Sequence, residues 1–153
     1  THISYGYSGR VVHHSIASTN VQSIIHKHRV WDLIRKYFGC EPQVLRVQRI
    51  ECTSNATTQL VHRDHNMGPR ILVALAVSNR KINTVVFKEK DSNEEPTPSD
   101  VSTRLSAKCG IFDTYCYHRG AACKNPSSQR YFVHICKTGL TKDEMTRLAD
   151  QVT

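Results

Sequence analysis

From Pro42 onward the chain is cut into seven short runs rich in β-branched and aromatic residues, at 44–52, 59–64, 70–78, 84–88, 101–107, 111–118 and 130–137. Turn formers separate them: Asn55, Gly68-Pro69, Asn79, Gly110, Gly120 and Asn125-Pro126. Strands this short and numerous, without helical segments between them, predict two packed sheets rather than an open parallel α/β sheet. The expected fold is mainly β with flanking helices, built on a jelly-roll, cupin-like core.

Two helical patterns flank that core. From Ser18 or Thr19 as N-cap, the apolar residues Val21, Ile24, Ile25, Trp31, Ile34 and Phe38 keep roughly helical spacing up to Gly39, predicting one helix within 18–39. Thr141-x-x-Glu144 is a capping box before Met145, Leu148 and Val152, predicting a second helix over 141–152. Residues 1–17, with Gly6, Gly9 and scattered histidines, read as irregular or short extended structure. At 153 residues the chain is one domain's worth, with the β core over 44–137.

Charge is distributed unevenly. The segment 89–103 holds five of the thirteen acidic residues (Glu89, Asp91, Glu94, Glu95 and Asp100) and one basic residue, Lys90, so it should be a mobile surface loop. The rest of the chain then carries 20 basic against 8 acidic residues, a field that attracts phosphates or acidic partners. No apolar run reaches the roughly 18 residues of a membrane helix, so no membrane span is expected. The chain opens at Thr1 with no methionine and no charged-then-apolar leader, as a domain within a longer protein would. Cys40, Cys52, Cys109, Cys116, Cys123 and Cys136 include no C-x-x-C pair and read as reduced structural thiols, which favours an intracellular, cytoplasmic setting.

The chemistry concentrates at Gln59-Leu-Val-His62-Arg-Asp64-His65. In an extended segment residues two apart share a face, so His62 and Asp64 aim an imidazole and a carboxylate at one point. A third ligand is offered by His118, at the end of the 111–118 run and before the Gly120 turn. Together His62, Asp64 and His118 make a facial triad that leaves open positions on an octahedral metal, an arrangement suited to iron(II). Arg130 opens the next run, where its guanidinium can fork onto a carboxylate and so suggests an anionic cosubstrate.

With these pieces in order, residues 44–137 resemble the iron(II)- and 2-oxoglutarate-dependent dioxygenases, and among them the phytanoyl-CoA dioxygenase-like branch. The resemblance is carried by His62-x-Asp64, by Gly110-x-Phe112 leading to Tyr117-His118-Arg119-Gly120, and by Asn125-Pro126-Ser127-Ser128-Gln129-Arg130. It implies a double-stranded β-helix, iron(II) on His62, Asp64 and His118, Arg130 on the distal carboxylate of 2-oxoglutarate, and Gln59 as a further cosubstrate contact. It also implies oxidation of a C–H bond of an unidentified substrate by molecular oxygen, with release of succinate and carbon dioxide. Leu72, Leu75, Phe112 and Phe132 are candidates for hydrophobic cover, with plain core the alternative.

Other residues carry weaker signals. His65 falls on the opposite face from His62 and reads as a surface or supporting residue, while His134 shares strand parity with Arg130 and is either pocket-facing or an interior histidine. Arg29, Arg35 and Lys36 read as a solvated helix face. Two rival functions stay open: a non-catalytic metal-binding β-barrel module, and a basic nucleic-acid-binding or demethylating domain. The second lacks interleaved aromatics and basics, with aromatics at only 7%.

Overall fold

The computed structural model describes residues 2–3, 11–16, 18–52, 59–120 and 129–151. Strands β1 (His2–Ile3), β2 (Val11–Ile16), β3 (Pro42–Cys52), β4 (Leu72–Ser78), β7 (Cys109–Asp113) and β9 (Gln129–Lys137) form one sheet in the order β1-β2-β3-β9-β4-β7. Strands β6 (Val101–Leu105), β5 (Thr84–Phe87) and β8 (His118–Arg119) form a second sheet in that order. The pairings within both sheets are antiparallel. The fold is the expected jelly-roll type, mainly β with flanking helices.

The expected single helix over 18–39 is two: α1 (Ser18–Ile25) and α2 (Arg29–Phe38). The break falls at His26-Lys27-His28, where the His28 ring accepts a hydrogen bond from the Val30 backbone N–H at 3.2 Å and so caps α2. Gly39 ends α2 as expected, in the left-handed conformation at φ 72°, where an L side chain would be strained. At the far end α3 (Lys142–Gln151) begins behind the predicted capping box: Glu144 N–H donates to Thr141 Oγ1 at 3.1 Å, and Thr141 N–H to Glu144 Oε1 at 3.0 Å. No helix among the described residues is long and apolar enough to cross a membrane.

Side-chain alternation along β4 and β9 gives the large sheet two different faces. On the outer face Val73, Leu75, Val133, Ile135, Val44 and Val47 pack against Ile25, Trp31 and Ile34 of the helices. On the inner face Ala74 and Phe112, with Phe132 partly buried beside them, meet Val86 of the second sheet. Register places Phe112, Ala74, His134 and Arg46 side by side across β7, β4, β9 and β3, and Gly110, Ala76, Phe132 and Gln48 in the next row. Alanine on β4 in both rows leaves the inter-sheet space to larger neighbours. Of the residues considered as cover for a site, Leu75 faces away in the helix-facing cluster, while Leu72, on the inner-face parity of Ala74, packs with Cys136 and Leu148 of α3.

Of the two readings for the N-terminal stretch, irregular or short extended, residues 11–16 take the extended one: they form β2, which pairs along β3 from Val11↔Cys52 to Ile16↔Val47. The acidic segment ends in a short 3₁₀ turn at Pro98–Asp100, and Val101–Leu105 is already strand, paired with β5. Lys88 N–H donates to Asp100 O at 2.7 Å, which closes this loop at its base. Cys40, Cys109, Cys116 and Cys136 are free thiols. Cys123 and the stretch 125–128 of the family-like motif lie outside the described residues.

Because Ile135 is fully buried between sheet and helices, Ile135→Ala should lower unfolding free energy by about 2–5 kcal/mol. Leu33, 65% exposed on α2, should tolerate alanine within about 0.5 kcal/mol. Urea unfolding of both variants checks the difference, and equal losses would contradict this packing.

Candidate metal centre

The run at 59–64 is not a strand. It touches the chain near His118 through a single isolated bridge, His62↔His118, in which each backbone N–H donates to the other's carbonyl at 3.0 and 2.9 Å. Two further bonds flank it, Gln59 N–H to Gly120 O and Asp64 N–H to Thr114 O, both at 3.1 Å. Going from His62 to Asp64 advances two residues, whereas going from His118 back to Thr114 spans four. A regular ladder cannot absorb that mismatch, so the segment stays irregular.

The extra residues on the other side form a turn that the sequence reading missed when it ran one strand through 111–118. Asp113 Oδ1 accepts from Tyr115 N–H at 2.9 Å and Asp113 O from Cys116 N–H at 3.1 Å, a turn nucleated by the aspartate side chain. Thr114 anchors it by donating both N–H and Oγ1–H to Leu72 O, at 3.1 and 3.0 Å. The chain thereby leaves the large sheet at Asp113 and re-enters the small one at His118, where β8 pairs with β5. This crossover turns His118 inward and buries it.

The structure brings His62, Asp64 and His118 together, with one ligand atom from each within 4.8 Å of the others. Asp64 Oδ1 lies 3.4 Å from His62 Nε2 and 3.2 Å from His118 Nε2. Both imidazoles turn their other nitrogen to a backbone carbonyl: His62 Nδ1 donates to Leu60 O and His118 Nδ1 to Cys116 O, each at 2.8 Å. A carbonyl only accepts, so Nδ1 carries the proton and the neutral ring presents a lone pair at Nε2. Two lone pairs and a carboxylate oxygen then converge, an arrangement that repels itself unless a cation or a proton sits among them. The donor set therefore fits a divalent metal, two imidazole nitrogens and one oxygen on one side.

Electrostatics follow the same geometry. Burial alone would raise the Asp64 carboxyl, but His118, His134 and His62 outweigh it and hold it well below the ordinary carboxylate value. Burial works to lower His62, yet Asp64 and then the Leu60 carbonyl move it upward overall. Neighbouring Cys116 is pushed up to about 11, chiefly by burial, which keeps it a protonated thiol rather than a thiolate ligand.

The surroundings sort the remaining candidates. Phe112 stacks beside His118 with ring centroids 4.9 Å apart, so of the four apolar residues considered as cover it is the one in contact with a triad histidine. Gln59 Oε1 accepts from Gly120 N–H at 3.0 Å, fastening the start of the irregular segment. Arg130 is buried on β9, on the same face as Phe132 and His134 and about 13 Å along the strand from the latter. His65 is buried, not at the surface: its Nδ1 accepts from Met67 N–H at 3.2 Å.

Two contributors were not among the candidate site residues. His134, left open as pocket-facing or interior from its strand parity with Arg130, has Nε2 3.4 Å from Asp64 Oδ2. Arg63 carries its guanidinium over the rings of Tyr115 and Tyr117, 4.4 and 4.3 Å from their centroids. It thus clamps the segment holding His62 and Asp64 to the one leading into His118, and only the crossover turn, invisible in the sequence, puts those two tyrosines around it.

No protein-family model matches the sequence, and no curated protein matches it. Among solved structures, HygX from Streptomyces hygroscopicus with nickel and 2-oxoglutarate bound is similar at a TM-score of 0.64 and 9% identity, over 92% of this chain and 74% of that one. The non-heme alpha ketoglutarate dependent epimerase SnoN from nogalamycin biosynthesis is similar at 0.61 and 11% identity, over 84% of this chain and 64% of that one. AviO1 from Streptomyces viridochromogenes Tue57 is similar at 0.55 and 15% identity, over 78% of this chain and 62% of that one. The chain thus spans less than two thirds of the length of SnoN and AviO1. At these identities the likeness establishes the fold, the double-stranded β-helix.

In the metal-free protein, the raised His62 pKa contributes stability that is complete below the ordinary imidazole value of 6.5 and fades as pH climbs through the raised value. Asp64→Asn removes the carboxylate responsible. With chelator present, the stability advantage of wild type over Asp64→Asn should shrink as pH rises above the ordinary imidazole value of 6.5 and through the raised His62 value in urea melts. An advantage that stays level or grows would contradict the assigned contacts.

Proposed function

We propose that this chain is an iron(II)- and 2-oxoglutarate-dependent dioxygenase domain, with His62, Asp64 and His118 as the iron ligands. The observation that carries the reading is the tautomer pattern: Leu60 O and Cys116 O each take an Nδ1 proton, and two Nε2 lone pairs meet Asp64 Oδ1 inside a jelly roll. When bound, iron and 2-oxoglutarate supply oxidation of a substrate C–H bond coupled to decarboxylation of the cosubstrate to succinate. HygX is a neighbour of the same fold with nickel and 2-oxoglutarate bound, which supports this pairing of metal and cosubstrate here.

The protein's own contribution is orientation and exclusion of water. In this reading Arg130 forks onto the far carboxylate of 2-oxoglutarate and Gln59 completes the cosubstrate contact; the burial of Arg130 on β9, which strengthens such a pair, supports it. Phe112 and Phe132, in the apolar cluster with Ala74 and Val86, cover the inter-sheet space beside His118 and keep it dry. The order of His62-x-Asp64, His118 and Arg130 favours the phytanoyl-CoA dioxygenase-like branch. The cationic surplus outside the acidic loop favours an anionic substrate.

With iron(II), 2-oxoglutarate and oxygen, wild type should release succinate, and chelation or His62→Ala should abolish it. Arg130→Ala should raise the 2-oxoglutarate concentration needed by about 10- to 100-fold, the worth of a charge-assisted pair. Equal succinate from wild type and His62→Ala would overturn the enzyme reading, and iron binding without succinate would leave a non-catalytic metal-binding module.

A further inference from the structure

Three imidazoles present Nε2 to the Asp64 carboxylate, but they are not equivalent. His62 and His118 both lie on Oδ1, at 3.4 and 3.2 Å, while His134 lies on Oδ2, at 3.4 Å. The first two donate Nδ1–H to backbone carbonyls. His134 Nδ1 is buried with no hydrogen-bond partner among the described residues. Its cross-strand neighbours are Ala74 on β4 and Arg46 on β3, and neither side chain offers an acceptor.

A proton on His134 Nδ1 would be a buried donor with nowhere to go, whereas a proton on Nε2 faces a carboxylate oxygen. Neutral His134 therefore carries its proton on Nε2, the opposite of the two ligand histidines. It also stays outside the group of three whose ligand atoms gather within 4.8 Å. We infer that His134 is a positioning residue: it donates Nε2–H to Asp64 Oδ2, so that the carboxylate presents Oδ1 alone to the metal between His62 and His118. Strand β9 would then serve the site twice, with Arg130 toward the cosubstrate and His134 behind the carboxylate. The inference rests on the metal-site reading given under Proposed function.

Two readouts test it. In the metal-free protein, long-range ¹⁵N–¹H correlation spectra of the imidazoles report tautomers directly; neutral His134 should be protonated at Nε2, and a neutral ring protonated at Nδ1 with Nε2 bare would overturn the donor role whatever the metal does. Cobalt(II) titration followed by visible absorption then compares wild type, His134→Leu and His134→Gln, the last keeping an N–H donor near the same place. Loss of the donor should weaken cobalt binding about 10- to 100-fold in His134→Leu, with most of it recovered in His134→Gln. Wild-type affinity in His134→Leu, or a glutamine variant as weak as the leucine one, would overturn the inference. Should His134→Leu fail to fold, His134→Gln decides: affinity near that of wild type supports the donor role, and a 10-fold or greater loss rejects it. A wild type that takes up no cobalt would overturn the metal-site reading itself, a result distinct from any outcome of the tautomer measurement.

Discussion

The reciprocal backbone bridge between His62 and His118 is the constraint on which the site depends. Two hydrogen bonds of 3.0 and 2.9 Å join an irregular segment to a two-residue strand, and they are the shortest route by which residues 56 positions apart become neighbours. Once that bridge forms, the remaining geometry is local. Each histidine ring is held through Nδ1 by a carbonyl two residues before it in its own segment, Leu60 for His62 and Cys116 for His118. Asp64, two residues on from His62, has its backbone pinned by Thr114 and its carboxylate set among the imidazoles.

That bridge is protected from both sides. Arg63 carries its guanidinium over the rings of Tyr115 and Tyr117, so the pair of segments is tied by a cation and two rings as well as by backbone. Beneath it, alanine at 74 and 76 keeps β4 thin, which lets Phe112 and Phe132 fill the space between the sheets and leaves His134 level with the carboxylate. The large residues of β4, Val73 and Leu75, point outward to Trp31 and Ile34 and hold the sheet rigid from the helix side. One strand thus stabilises the fold on one face and makes room for the His62, Asp64, His118 and His134 cluster on the other.

Much of this was legible because the relevant physics is short-range. The Thr141–Glu144 capping box and the Gly39 stop depend on residues a few positions apart, and both occur where the pattern put them. The helix break at His26–His28 was not legible, since Val21 to Phe38 keep enough apolar periodicity to hide it and a histidine is not a usual cap. The strand expected at 59–64 failed for a longer-range reason: its partner spends four residues, Thr114 to Tyr117, on a turn anchored at Leu72, so only alternate hydrogen bonds can form.

By itself the sequence determined the class of fold, the order in which a histidine, a carboxylate, a second histidine and an arginine arrive, and the spacing of the first pair. These are properties of alternation, turn chemistry and residue type, all encoded over a few residues. The tertiary structure alone decided that the segments carrying His62–Asp64 and His118 meet, which imidazole nitrogen faces the carboxylate, and that His134 rather than solvent contacts its second oxygen. Those outcomes depend on strand register and on a crossover between sheets, where a shift of one residue would turn each strand-borne side chain to the opposite face.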